Sequence, residues 1–218
     1  MRAATHPFQF ATASYLTRIL NQKAVNLREF CLGIESCSDG SIFYHTFQSL
    51  NRHHFLARGF SSDFAQWAAG ACNRADLAEQ LAALDIRDYF SLADLRGDLH
   101  RVVSDYCRAH PQFVEQTSFE PFFFLESVEV AMLLGFEART LEEFRDSVRR
   151  LTHASFHYHF ITSRLRLHLR TNDFSLWLAD SLGMEALADR VNRIDIYTNT
   201  LESAQAVLLS QIEKELAP

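Results

Sequence analysis

The sequence predicts an all-α protein: two tandem helical repeats packed with pseudo-twofold symmetry into one compact globule. Three observations carry that expectation. Apolar positions recur mostly at spacings of three and four, with only seven glycines and four prolines in 218 residues to interrupt them. Residues that start and stop helices fall at matching places in the two halves. The chain also resembles itself. Phe8, Phe10, Leu20, Ala24, Leu27, Glu29, Phe30, Ser41, Tyr44 and His45 return in order as Phe122, Phe124, Leu134, Ala138, Leu141, Glu143, Phe144, Ser155, Tyr158 and His159, a shift of 114. After a loop four residues shorter in the second half, Asp63, Phe64, Trp67, Ala69, Leu77 and Ala78 return as Asp173, Phe174, Trp177, Ala179, Leu187 and Ala188, a shift of 110. Matches at about a quarter to a third of aligned positions exceed the roughly one in sixteen that composition gives. The polar, proline-marked stretch from His110 to Pro121 is the natural seam, dividing a first repeat, 1–110, from a second, 111–218.

Each element follows from its residues. Phe8–Phe10 leads into a helix expected near Ala13 to Leu20. The next helix begins after Asn26, where Asn26 and Glu29 have the spacing of a capping box and Val25 can staple onto Phe30; Thr140 and Glu143 repeat the device. Capping accounts for these two glutamates more cheaply than catalysis does. A third helix is expected to start at Ser41 or Ser155 and to run through Tyr44-His45 or Tyr158-His159. A break follows at Gly59 and at Thr171-Asn172. Ser62 or Asn172 then caps a fourth helix carrying Asp63 or Asp173 in its first turn, where a carboxylate complements the helix dipole. Helices through Leu77-Ala78 and Leu187-Ala188 end near Asp85-Ile86 and Asp195-Ile196. Amphipathic helices over 91–107 and 200–216 close the halves.

Composition excludes several classes. A formal charge of −6 argues against holding nucleic acid or an anionic membrane by bulk electrostatics. The first ten residues lack the apolar run of a secretory signal, and Val128 to Phe136 is far shorter than the roughly 20 residues a membrane-spanning helix needs. The four cysteines, Cys31, Cys37, Cys72 and Cys107, form no Cys-x-x-Cys pair and suit reduced thiols. A cytoplasmic protein with no cofactor is expected.

Ten histidines invite a metal site. They cluster as His45, His53 and His54 in the first half and His153, His157, His159 and His168 in the second. Helix geometry opposes the idea: His157 and His159 point to nearly opposite faces, His53 and His54 diverge, and His153 stands ahead of the expected Ser155 cap. Neither a His-Glu-x-x-His box nor a Glu-x-x-His motif occurs. For His45 and His159 the simpler reading is a partly buried ring held by Asp63 and Asp173. No nucleophile elbow or phosphate-cradling glycine loop is present. Trp67 and Trp177 could stack on a sugar, but each lies three residues from a phenylalanine, Phe64 or Phe174, which favours burial. Arg149, Arg150, Arg164, Arg166 and Arg170 surround the histidines of the second half, as Arg52 and Arg58 do in the first. Arg166 and Arg170 are expected to share a helical face that could receive a phosphate or carboxylate; a solvated face paired with Glu137, Glu142 and Asp146 is the plainer account. The candidate ligand-binding residues are Tyr44, His45, Asp63, Trp67, Tyr158, His159, Asp173, Trp177, Arg166 and Arg170. No catalytic residue or metal ligand is assigned.

The ordered segments Ser41 to His45, Asp63 to Trp67 and Leu77-Ala78 make each half similar to the prokaryotic domain-of-unknown-function family DUF5752, so the resemblance covers nearly the whole chain. The second half departs in carrying Phe156-His157 for Ile42-Phe43 and Asn172 for Ser62. The resemblance implies no assigned reaction; such units occur beside carbohydrate-active enzymes, which implies an accessory role by association. The leading expectation is a non-catalytic binding or scaffold protein whose histidine- and arginine-bearing third helices contact a small anionic ligand or a partner protein. The rivals are a metal-assisted or histidine-dependent hydrolase or transferase acting on a sugar or phosphorylated metabolite, and an oligomerisation module, such as a homodimer, using the 201–216 helix.

Overall fold

The computed structural model describes residues 3–48, 60, 62–195 and 200–217. Two 17-residue strands, β1 (Phe8–Ala24) and β2 (Phe122–Ala138), pair as an antiparallel two-stranded sheet, and most of the remaining chain is helical. The fold is therefore mixed α/β. The all-α class, with two purely helical repeats in pseudo-twofold packing, is corrected by these strands. The helix expected near 13–20 is the middle of β1. Thr12, Tyr15, Thr17 and Ile19 favour extended backbone, and packing overrides the short-range spacing read as helical. At the strand's start the inside-outside alternation is plain: Phe8 and Phe10 are buried and Gln9 is exposed. The run from Val128 to Phe136 likewise lies within β2.

The chain forms two compact units. One comprises Met1–Tyr15 with Glu129–Pro218, and the other is Leu16–Val128. The backbone passes from one unit to the other inside each strand.

In the Leu16–Val128 unit, α1 (Leu27–Ser36) starts with the expected box: Asn26 Oδ1 accepts from the Glu29 N–H at 2.9 Å, and the Glu29 carboxylate accepts from the Val25 N–H at 2.9 Å. Next, α2 (Asp39–Phe43) is capped by Ser38, so Ser41 sits inside the helix and is not its cap. It runs into a π-helical turn, Tyr44–Gln48. After that come α3 (Asp63–Gly70), capped by Ser62, α4 (Ala75–Ala82) and α5 (Leu92–Ala109), capped by Ser91. Helix α5 packs on α1 and α4. Phe124 of β2 is fully buried and lies so close to α1 that a Cβ on Gly33 would sit 2.2 Å from its ring. Only glycine permits that approach.

In the other unit, α6 (Leu141–Val148) repeats the box with Thr140 and Glu143. Thr152 caps α7 (His153–His157), where Ser155 was expected, so His153 is helical. A second π-helical turn, Tyr158–Thr162, leads to α8 (Ser163–Arg166). Arg170 lies beyond the end of α8 and shares no helical face with Arg166; between them His168 and Leu169 adopt left-handed φ of 52° and 62°. Asn172 caps α9 (Asp173–Asp180), which precedes α10 (Glu185–Asn192) and α11 (Leu201–Leu216). Helix α11 buries Ala204, Leu208 and Ile212 and packs on α6, α7 and α10, so its apolar stripe is covered within its own unit. No helix among the described residues is long and apolar enough to cross a membrane. Arg52, His53, His54, Arg58, Gly59 and Ile196, all named from the sequence, lie outside the described residues.

Candidate functional site

A π-helical turn widens the helix by one residue, and in each unit that turn carries the Tyr-His pair. His45 is 2% exposed and His159 3%. In the first case Nδ1 lies 2.8 Å from Asp63 Oδ2, and Nε2 accepts the Leu125 N–H of β2 at 2.9 Å. In the second, Nδ1 lies 2.8 Å from Asp173 Oδ2, and Nε2 accepts the Ala11 N–H of β1 at 2.9 Å. A nitrogen that accepts from a backbone N–H carries no proton, so the proton resides on Nδ1, facing the carboxylate. Both rings are walled by phenylalanine: His45 by Phe122 at 4.7 Å and Phe64 at 5.4 Å, His159 by Phe8 at 4.9 Å and Phe174 at 5.5 Å. These histidines tie a strand to a helix and leave no ring nitrogen for a substrate.

The tryptophans are committed in the same way. Trp67 is 7% exposed and its Nε1 donates to Glu120 O at 2.7 Å; Trp177 is 6% exposed and donates to His6 O at 2.8 Å. Each indole caps the chain leading into a strand. Tyr44 is buried, with its hydroxyl 3.4 Å from Thr17 Oγ1.

One further polar cluster belongs to the unit that contains α6 to α11. Arg166 donates to both oxygens of Asp173, at 3.0 and 2.8 Å, and its guanidinium lies 4.9 Å over the Tyr158 ring. Below, the His157 Nδ1 is 3.4 Å from the Tyr15 hydroxyl and 3.3 Å from Thr162 Oγ1, which in turn lies 2.9 Å from Tyr15. Burial depresses the His157 imidazole to about 4, and its Nε2 has no hydrogen-bond partner among the described residues. Burial lifts the Tyr15 hydroxyl to about 12 and also raises the Glu129 carboxyl, against the opposing pull of Arg166. Arg164 is lowered to about 10 by burial; among the described residues its side chain donates to Asn192 O at 3.0 Å. Among the described residues no group of three or more His, Cys, Asp and Glu side chains is placed to hold a metal ion.

The structure thus brings His45 to Asp63, and His159 to Asp173 and Arg166, while Arg170 joins neither group by any described side-chain bond. Sequence reasoning missed Tyr15, Glu129 and Thr162. The signal available was alternation: with β1 and β2 read as strands, Tyr15 and Glu129 become sheet positions near the polar turn. The salt bridges proposed for the arginines are partly as expected, with Arg149 contacting Asp146 at 3.6 Å, while Glu137 pairs instead with Arg139 at 2.8 Å.

A two-stranded sheet whose strands are anchored by buried His-Asp pairs on π-helical turns defines a mixed α/β class of helical protein. The chain belongs to the family of unknown function DUF5752, whose model matches residues 5–213. It is similar to the solved structure of OrfY from Thermoproteus tenax, at 31% identity and a TM-score of 0.84, covering 97% of this chain and 96% of that one. No curated protein sequence matches the chain.

Proposed function

We propose that the protein is a non-catalytic binding or interaction protein whose partner is another protein chain. One observation carries this reading. In the unit that contains α6 to α11, β2 leaves the core between residues 130 and 135, and there Val130, Met132 and Leu133 are 50%, 52% and 73% exposed. A strand that presents apolar side chains on both faces is a liability unless something covers it. The commitment of both His-Asp pairs to backbone N–H groups supports the same reading, because the best candidates for acid-base chemistry are occupied.

A cytoplasmic location is part of the proposal. Its support is the four unpaired cysteines, of which burial pushes Cys31 up to about 11 and Cys72 up to about 12. Such thiols are poor nucleophiles at neutral pH.

The test compares wild type with Met132→Lys and Leu133→Lys, purified from the native host with a small tag and measured by sedimentation velocity and mass spectrometry. The expected result is a stoichiometric second chain, of this protein or another, that is lost in both variants while circular dichroism is unchanged. A wild type that sediments as a lone monomer from 1 to 100 times its working concentration, with nothing co-purifying, would overturn the reading.

A further inference from the structure

A difference between the two units points to a ligand cleft. In the Leu16–Val128 unit, Glu126 of β2 turns its carboxylate inward; the residue is 8% exposed and its carboxylate accepts from Ser38 Oγ and from Arg18. Those two donors hold the carboxyl below the usual range, with Ser38 the larger influence. The carboxylate rests beside Gly40, where an added Cβ would sit 3.3 Å from Oε2.

In the register of 114 that relates the two halves of the sequence, Thr12 stands at the place of Glu126, Thr152 at that of Ser38 and Ser155 at that of Ser41. The caps correspond: Ser38 accepts the Ser41 N–H at 3.1 Å, and Thr152 accepts the Ser155 N–H at 3.2 Å. The carboxylate has no counterpart. Thr12 is too short to reach, and the unit instead has a cleft of about 380 Å³ lined by Thr12, Leu134, Phe136, Arg150, Thr152 and Ser155.

We propose that this cleft binds a small organic carboxylate with an apolar body, the ligand supplying the group that Glu126 supplies internally in the other unit. Three hydroxyl-bearing residues, Thr12, Thr152 and Ser155, line it. Thr152 and Ser155 share one hydrogen bond at 3.1 Å, which leaves one of their two protons to donate, and the Thr12 hydroxyl makes no bond among the described residues. Arg150 provides the charge: its Nε donates to Asp146 O at 3.3 Å, its guanidinium lies 5.3 Å over the Phe136 ring, and no carboxylate lies within 4 Å of it among the described residues. Phe136 and Leu134 form the apolar wall. A charge-assisted bond to carboxylate selects this chemistry over a neutral ligand. The cleft borders the surface proposed above at Leu134, but the substitutions that test the two, Met132→Lys and Leu133→Lys there and Arg150→Gln and Thr12→Glu here, share no residue, so either reading can fail alone.

The probe is benzoate, with acetate and inorganic phosphate as comparisons, followed by calorimetry and thermal shift on the full chain. Saturable benzoate binding is expected in wild type. Arg150→Gln should weaken it at least about tenfold, the scale of one charge-assisted hydrogen bond. Thr12→Glu should abolish it and raise the melting temperature, because it refills the slot from within. If Thr12→Glu does not fold, Arg150→Gln decides alone. No saturable binding of benzoate, binding of phosphate without benzoate, or benzoate binding unchanged in Arg150→Gln would each overturn the proposal.

Discussion

At position 157 an imidazole occupies the place that Phe43 holds in the other half of the sequence, and its burial makes stability depend on pH. The folded state holds the ring neutral, with its pKa near 4, while the unfolded chain protonates it near 6.5. Stability from this group is therefore full above about pH 6.5 and is lost as pH falls toward 4, by about 3 kcal/mol in all. Urea unfolding of wild type and His157→Phe across pH 4 to 7.5 should show the variant's dependence flattened in that window. Its stability at neutral pH should be equal or higher, since the orphaned Nε2 is removed. The paired histidines behave differently. His159→Leu strands the Ala11 N–H and leaves Asp173 held by Arg166 without its histidine, so it should cost about 1–3 kcal/mol by chemical denaturation. That a carboxylate holds each ring was legible in the sequence, because Asp63 and Asp173 recur in step with His45 and His159. The second bond, to a strand N–H, was not legible, because it joins positions 148 and 80 residues apart.

At the scale of the element, α1 and β2 meet through an absence of side chain. Gly33→Ala would drive a methyl into the Phe124 ring, which is fully buried and has nowhere to swing. Overpacking of this kind costs about 1–3 kcal/mol, and a lowered denaturation midpoint with unchanged slope would report it. Helix starts were the most legible elements: Asn26, Thr140, Ser62 and Asn172 cap as their residue types and spacing indicate, and Ser91 and Thr200, where the closing helices are expected to begin, cap them. The caps at Ser38 and Thr152 were read three residues late, at Ser41 and Ser155, since each turn offers two hydroxyls at that spacing. The strands were misread because a stretch such as Ala13–Leu20 has apolar residues on both faces. It satisfies a period of three or four by accident, while its β-branched and aromatic residues and its packing both favour the strand.

At the scale of the molecule, one compact unit is a single run of chain, Leu16–Val128, and the other is assembled from two pieces. Phe122 and Phe124 complete the core around Phe30 and Phe64, and Leu125 completes the His45 pair. A fragment of residues 16–128 should therefore unfold cooperatively by circular dichroism. A fragment of residues 1–110 lacks all three and should not. The sequence register reveals two similar halves, but it carries no information on which half's strand segment completes which core, since Phe8 and Phe122 are the same residue in the same pattern.

That arrangement sets an order of events during synthesis. The contiguous unit has all its parts once residue 128 has left the ribosome, whereas the first fifteen residues must wait, unclaimed, until the helices that enclose Phe8 and Phe10 are made. Contacts separated by so much chain form slowly, and the waiting segment carries Phe8 and Phe10, both of which end in the core. A nascent polypeptide of this design keeps two core phenylalanines uncovered until the segment around Phe144 is made.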